Sequence, residues 1–320
     1  MRSLKEKMIL LVLCAAVLFA SETASAISFS SLNHQKGDEV TLNDTWSYIS
    51  TGNRGEDKFI ESLFFFLHHE FKSIFGADVV NGIRCTIYND KDSTSPFIHY
   101  VSETELKIRL NLASASFWCQ LVFQLAHEMT HYIFCQTYEY KKYFGSKWNE
   151  EIVSEAMSLY MLKQLADKWD EFVLSKYDRY RETPYSSAIY AYIANELERG
   201  VGKVLKSSQD AVTIQQFAEL NRNAGRNREN HRAEVNYLYD LLLTLEKEQI
   251  KAIILEMYQY LTDDTYVDYE HWIRNATHPE IVRKLSNIQP RITGTSRPEG
   301  ARAVGNPRVC SPCRFAHGVL

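Results

Sequence analysis

From Ala115 to Tyr138 the chain contains neither Pro nor Gly, and Phe117, Trp118, Leu121, Val122, Leu125, Ile133 and Phe134 recur at helical spacing. A helix here is the strongest local constraint on the fold, and it fixes more than packing. His127-Glu128-Met129-Thr130-His131 lies in its middle. Positions i and i+4 share one helix face about one turn apart, so the two imidazoles can aim at one point. Glu128 is rotated by about 100° from His127 and flanks that point. Downstream, Trp148-Asn149-Glu150-Glu151-Ile152-Val153-Ser154-Glu155 brings carboxylates on what reads as a second helix. A catalytic Zn²⁺ takes three protein ligands and keeps a fourth position open for water. Two histidines and one glutamate meet that count, at one zinc per chain, with Glu128 placed as the general base.

Glu150 and Glu151 are neighbours that point about 100° apart, so only one reaches the metal. Glu151, Ser154, Glu155 and Ser158 share a face whose small serines leave room for a metal and a facing helix. That phase favours Glu151 as third ligand, with Glu150 as the alternative. Glu155, one turn beyond, is expected to accept a hydrogen bond from the non-coordinating nitrogen of His127 or His131 and so fix its tautomer. The bland alternative is that Glu150 and Glu155 are ordinary solvated helix carboxylates.

The His127–His131 segment resembles the zincin metallopeptidases, and the glutamate segment resembles their gluzincin branch. The resemblance covers roughly residues 105 to 162. Glu151 lies at the thermolysin-like spacing from His131, and Glu150 at the spacing of the aminopeptidase members. Ser154 and Glu155 follow Glu151 as in the thermolysin-like pattern, while Trp148 stands before it as in the aminopeptidases. The metzincin branch requires a Gly and a third His where this chain has Phe134 and Thr137.

The resemblance implies an α+β fold: a zincin-like catalytic domain with a small mixed sheet, followed by a mostly helical C-terminal half. It implies hydrolysis of peptide bonds, with a peptide or protein as substrate. It also implies that a strand just before the motif helix is the sheet edge along which substrate lies by β-addition, the equal alternative being an ordinary sheet strand. In such sites a Tyr or His from the helical part steadies the oxyanion; Tyr185, Tyr190, Tyr192 and His231 qualify by position only. Two other readings stay open: a non-catalytic zinc-binding or interaction module, and a zinc hydrolase acting on a non-peptide amide.

Around the motif, Glu56 to Phe75 reads as an amphipathic Phe-rich helix. His68-His69-Glu70 within it is not a metal cluster on this reading, because adjacent histidines diverge on a helix. Three strands follow, Ile83 to Tyr88, Phe97 to Val101 and Glu105 to Leu112. In the last, Leu106, Ile108, Leu110 and Leu112 alternate with Lys107, Arg109 and Asn111, as in a strand buried on one face. Helices are expected near 150–168, 185–205, 211–222, 231–246 and 247–261, and again between 272 and 288. The division is a signal segment over 1–26, a catalytic subdomain over 27–168, a helical subdomain over 169–289 and a tail without its own core over 290–320.

The first residues carry the marks of export. Arg2, Lys5 and Lys7 precede the apolar run Met8 to Ala20, which is too short to span a bilayer comfortably, and Ala24-Ser25-Ala26 offers a cleavage site before Ile27. The expectation is a secreted or extracytoplasmic protein with no stable membrane span after cleavage. Cys14 lies in that run without a lipoprotein context. Cys119 and Cys135, on one helix and ~24 Å apart at ~1.5 Å per residue, cannot bridge each other. Cys85 has no evident mate, and Cys310 and Cys313 suggest at most a local pair. With Lys+Arg 36, Asp+Glu 40 and a formal net charge of −4, and no basic stripe interleaved with aromatics, nucleic acid is not an expected partner.

Overall fold

The computed structural model describes residues 37–137, 147–172, 174, 185–205, 213–225, 228–262 and 266–290. The expected signal segment, Cys14, Cys310, Cys313 and the tail beyond residue 290 lie outside the described residues. The architecture is mixed α+β. A five-stranded sheet sits at the N-terminal side, and most of the other described residues are helical.

Five strands build the main sheet: β1 (Glu39–Thr41), β2 (Trp46–Ile49), β3 (Arg84–Asn89), β4 (Phe97–Ser102) and β5 (Glu105–Leu110), in the spatial order β1-β2-β3-β5-β4. β1 and β2 are antiparallel, β2–β3 and β3–β5 are parallel, and β4 is antiparallel to β5. β1 and β2 escape the sequence reading because they are only three and four residues long. A strand that short carries too few alternations to register as a pattern.

The strand preceding the motif helix is not an edge, contrary to expectation. β5 pairs with β3 on one side and β4 on the other, so its ladder positions are taken. The edge on that side is β4, where Phe97 and Val101 are each 48% exposed.

The helices are α1 (Arg54–Phe75), a single turn α2 (Ala77–Val80), α3 (Trp118–Thr137), α4 (Lys147–Asp167), α5 (Tyr185–Glu198), α6 (Ile214–Asn223), α7 (Arg232–Leu242), α8 (Lys247–Glu256), α9 (Tyr269–Asn275) and α10 (Pro279–Leu285). Their ends follow local chemistry. Asn53 caps α1 through the amides of Gly55 and Glu56, which starts that helix at Arg54. Thr213 and Gln216 form a reciprocal capping box that starts α6. α3 begins at Trp118 rather than Ala115, because Ser114 binds the amide of Ser116 and accepts from the amide of Phe117 in a preceding turn. The single helix expected over 185–205 stops at Glu198, and Gly202 beyond it has φ 77°. A short β6 (Leu261–Thr262) and β7 (Tyr266–Val267) hairpin interrupts the C-terminal helices.

One continuous apolar core runs from Trp46 on β2 to Ile288 after α10. Helix α1 buries Phe59, Phe64, Phe71 and Phe75 in it, each worth about 1.5–3 kcal/mol of transfer free energy. Helix α4 is buried nearly all round, consistent with a central helix. Among the described residues no helix is long and apolar enough to cross a membrane. Cys85 and Cys119 are free thiols.

Two amide clamps fix the segment between β5 and α3, one of them from α3 itself. Gln124 on α3 accepts from the Asn111 amide and donates to the Asn111 carbonyl, both at 2.8 Å. Asn89 at the end of β3 does the same with Leu112, both at 2.9 Å. Near the other end of α3, the Tyr132 hydroxyl donates to the Ile83 carbonyl at 2.7 Å and accepts from its amide at 3.0 Å. The helix that carries the motif is thus pinned to the sheet on both sides of the motif.

Candidate metal centre

His127 and His131 leave α3 on one face, and their Nε2 atoms stand 3.2 Å apart. Glu151, from the facing helix α4, completes a triangle: its Oε2 lies 3.4 Å from His127 Nε2 and its Oε1 lies 3.8 Å from His131 Nε2. All three donor groups fall within 4.8 Å of one another, an arrangement that could hold a metal ion. A tetrahedral ion with bonds of about 2.0–2.1 Å separates its donors by roughly 3.3 Å, and the two shorter of these distances lie close to that edge. Glu151 Oε2 and His127 Nδ1 are buried without a hydrogen-bond partner in the protein. The donor set, two imidazoles and a carboxylate, is one that suits several divalent transition ions.

Close approach of α3 and α4 has local causes. Ser154 and Ser158 are small and fully buried, and Ser158 Oγ turns back to the Ser154 carbonyl at 2.7 Å, so Ser158 needs no polar partner across the interface. The first turn of α4 is tied to α6 by the Trp148 amide, which donates to Asn221 Oδ1 at 2.9 Å, and to the C-terminal turn by Trp148 Nε1, which donates to the Ile288 carbonyl at 3.2 Å. Gly225, just after α6, passes so close that a Cβ there would stand 2.9 Å from Glu151 Oε1.

Glu150 is not a solvated carboxylate. It is 3% exposed, and its Oε2 lies 3.4 Å from Nδ1 of His131, the edge of the ring turned away from the triangle. The two adjacent glutamates therefore address opposite edges of one imidazole. The 100° between them serves this division, since His131 itself lies between the two directions.

Glu155 is not near either motif histidine. It is fully buried one turn further along α4, where it meets Arg232 Nη1 at 3.1 Å, Arg228 Nε at 3.3 Å and His231 Nε2 at 3.4 Å. One turn is about 5.4 Å of axis, enough to carry it past the reach of His127 and into a cluster supplied from α7 and the turn before it. That cluster extends to Glu196 on α5, 3.3 Å from Arg232 Nη1.

The charges in the centre shape one another. Burial pushes the Glu128 carboxyl up, against the pull of both histidines. Burial likewise raises Glu150 to about 7, although His131 opposes it. Glu151 is also resisted by burial, but the contact with His127 and the charge of both histidines win and hold it at about 2. Burial works against the charged form of His131, yet Glu150, Glu151 and Glu128 outweigh it and raise His131 to about 9. The carboxylates of Glu128 and Glu151 beside the two histidines, with Glu150 behind His131, make a place where a cation is favoured.

The centre opens into a cleft of about 330 Å³ lined by Ser95, Pro96, Phe97 and Ile98 at the start of β4, by the motif residues, and by Lys147, Arg222, Gly225 and Arg228. None of the four residues considered for oxyanion binding lines it. Tyr185 packs between Trp118 and Trp169, with ring centroids 4.7 and 5.5 Å away. Tyr190 donates its hydroxyl to Asp167, Tyr192 packs against Phe123, and His231 is 0% exposed. Within the other tempting cluster, His68 bonds Asn81 at 2.9 Å while Glu70 pairs with Lys168 at 2.6 Å, so the two do not converge. Arg228, Arg222 and Gly225 carry no motif signal; only the fold places them beside His127. No protein-family model, curated protein or solved structure matches the chain.

Proposed function

We propose that this protein is a zinc-dependent metallopeptidase of gluzincin type, acting outside the cytoplasm. The observation that carries the reading is the convergence of His127, His131 and Glu151 within 4.8 Å, with Glu128 buried beside them at the floor of an open cleft. His127, His131 and Glu151 would hold the metal. A bound Zn²⁺ supplies a water of near-neutral pKa and polarises a carbonyl.

The chain's own residues do the rest. Glu128, its carboxyl raised by burial, accepts the proton of the attacking water and returns it to the departing amine. Glu150 faces His131 Nδ1 and keeps the ring turned so that Nε2 points into the triangle. The start of β4, which lines the cleft, is the outer strand of the sheet among the described residues, so substrate backbone adds to the sheet there rather than along β5. The apolar run and small-residue site of the first 26 residues support export.

Glu128→Gln tests the reading. The variant keeps the shape of the side chain and should retain zinc at wild-type stoichiometry. It should lose hydrolysis of a mixed fluorogenic peptide library by on the order of 10²–10⁴-fold. Turnover near the wild-type level in the variant would remove Glu128 from the reaction.

A further inference from the structure

Arg228 forms part of the cleft wall and is held from behind. Its Nε lies 3.3 Å from Glu155 Oε1, and Glu155 has no solvent exposure. The second Glu155 oxygen accepts from Arg232 Nη1 at 3.1 Å, so the carboxylate is fixed at both ends. Among the described residues Glu155 is the one carboxylate within ion-pair distance of Arg228, and the closest approach is at Nε. The side chain is 29% exposed and lines the cleft. A guanidinium fixed by its rear edge presents a planar fork suited to a carboxylate, through two parallel N–H···O bonds.

The charge around it favours the same ligand. Glu128, Glu150 and Glu151 in the cleft are matched by Lys147, Arg222 and Arg228, so a divalent cation on the three ligands leaves the cleft cationic. Arg222 is exposed near the end of α6 and makes no ion pair among the described residues.

We propose that Arg228 binds a carboxylate of the substrate beside the metal centre, so that the site selects peptides bearing a negative charge close to the bond that is cut. Glu155 is the positioning residue that aims it. The proposal rests on the metallopeptidase reading. The carboxylate is either the free C-terminus of the substrate or an Asp or Glu side chain.

Hydroxamate probes separate these cases without relying on turnover. Malonyl monohydroxamate is coupled to glycine, to aspartic acid amidated on its α-carboxyl, and to glycinamide. Binding to the zinc-loaded protein is followed by calorimetry for wild type, Arg228→Gln and Arg228→Lys. In the wild type at least one carboxylate probe should bind about ten- to a hundredfold tighter than the glycinamide probe, and the one that gains identifies the source of the carboxylate. Arg228→Gln should erase that difference and leave the glycinamide probe unchanged. Arg228→Lys, which keeps the charge beside Glu155 and so guards against a folding defect, should lose most of the difference because it lacks the fork. Equal binding of all three probes by the wild type overturns the proposal. So does an equal loss for all three in both variants, which makes Arg228 a counter-ion only. Zinc content is measured on the same samples; a folded protein without zinc overturns the metallopeptidase reading and this proposal with it, and is thereby told apart from failure of Arg228 alone.

Discussion

Glu150 and Glu151 grip opposite edges of one imidazole: Glu150 Oε2 lies 3.4 Å from Nδ1 of His131, and Glu151 Oε1 lies 3.8 Å from its Nε2. Neighbours in sequence thus take different parts in one centre. Glu151→Gln removes an anionic donor and should weaken zinc binding most. Glu150→Gln should cost about 10- to 100-fold in zinc affinity, the usual cost of losing the group behind a ligand histidine. Chelator competition on both variants measures this. A silent Glu150→Gln would show that the 3.4 Å contact does not orient the ring.

Gly225 has an ordinary φ, so its place is set by space and not by backbone strain. Its virtual Cβ would stand 2.9 Å from Glu151 Oε1, the free end of a flexible side chain. The carboxylate yields before the backbone does. Gly225→Ala should therefore leave the urea midpoint almost unchanged while lowering zinc affinity. Unaltered zinc affinity would mean that Glu151 can move without leaving the metal.

Protons compete with the metal at His131. Its imidazole is raised to about 9 because Glu150, Glu151 and Glu128 outweigh the effect of burial. Near pH 7 an incoming cation must displace that proton, so apparent zinc affinity should fall by up to about tenfold for each unit of pH lost below about 9. In Glu150→Gln the imidazole loses one anionic neighbour, its pKa falls, and the slope near pH 8 should flatten. Competition titrations at pH 6, 7 and 8 read both effects; a pH-independent affinity would contradict them.

Glu155 belongs to stability. Burial alone would raise its carboxyl, but Arg232, His231 and Arg228 hold it well below the ordinary 4.5. A depressed folded pKa means stabilisation that is fully present above the unfolded value and lost as pH falls through the folded one. Wild-type stability should therefore decline below about pH 4.5. Glu155→Gln removes the buried carboxylate shared by Arg228, His231 and Arg232, with Arg232 keeping Glu196 and Glu229, and should cost up to about 3–5 kcal/mol at neutral pH. It should also show a shallower loss in acid. Urea melts at pH 7 and pH 3.5 test both, and a variant as stable as wild type at pH 7 would refute the pairing.

What was legible in the chain follows from the range of each interaction. His127, Glu128 and His131 are set by one helix, and a helix is a local object with a fixed period. Glu151 follows from the same period on α4, given a reason for the two helices to meet, which Ser154 and Ser158 supply. Glu155 was misplaced because helix phase gives a direction without saying what lies there. Arg228, Arg232 and His231 are more than seventy residues away and no pattern links them to α4. The edge role passed from β5 to β4 for a similar reason, since alternation in Glu105–Leu112 shows which face is buried but not how many neighbours the strand has. β1 and β2 join the sheet through pairing, too short to announce themselves in sequence.

The central claim is that His127, His131 and Glu151 hold one zinc with an open position. X-ray absorption at the zinc edge of the purified wild-type protein tests it most directly. The account predicts one zinc per chain surrounded by two imidazoles and oxygen donors, with bonds of about 2.0–2.2 Å. Sulfur scattering at about 2.3 Å, or a folded protein that takes up no zinc from excess metal, would contradict it.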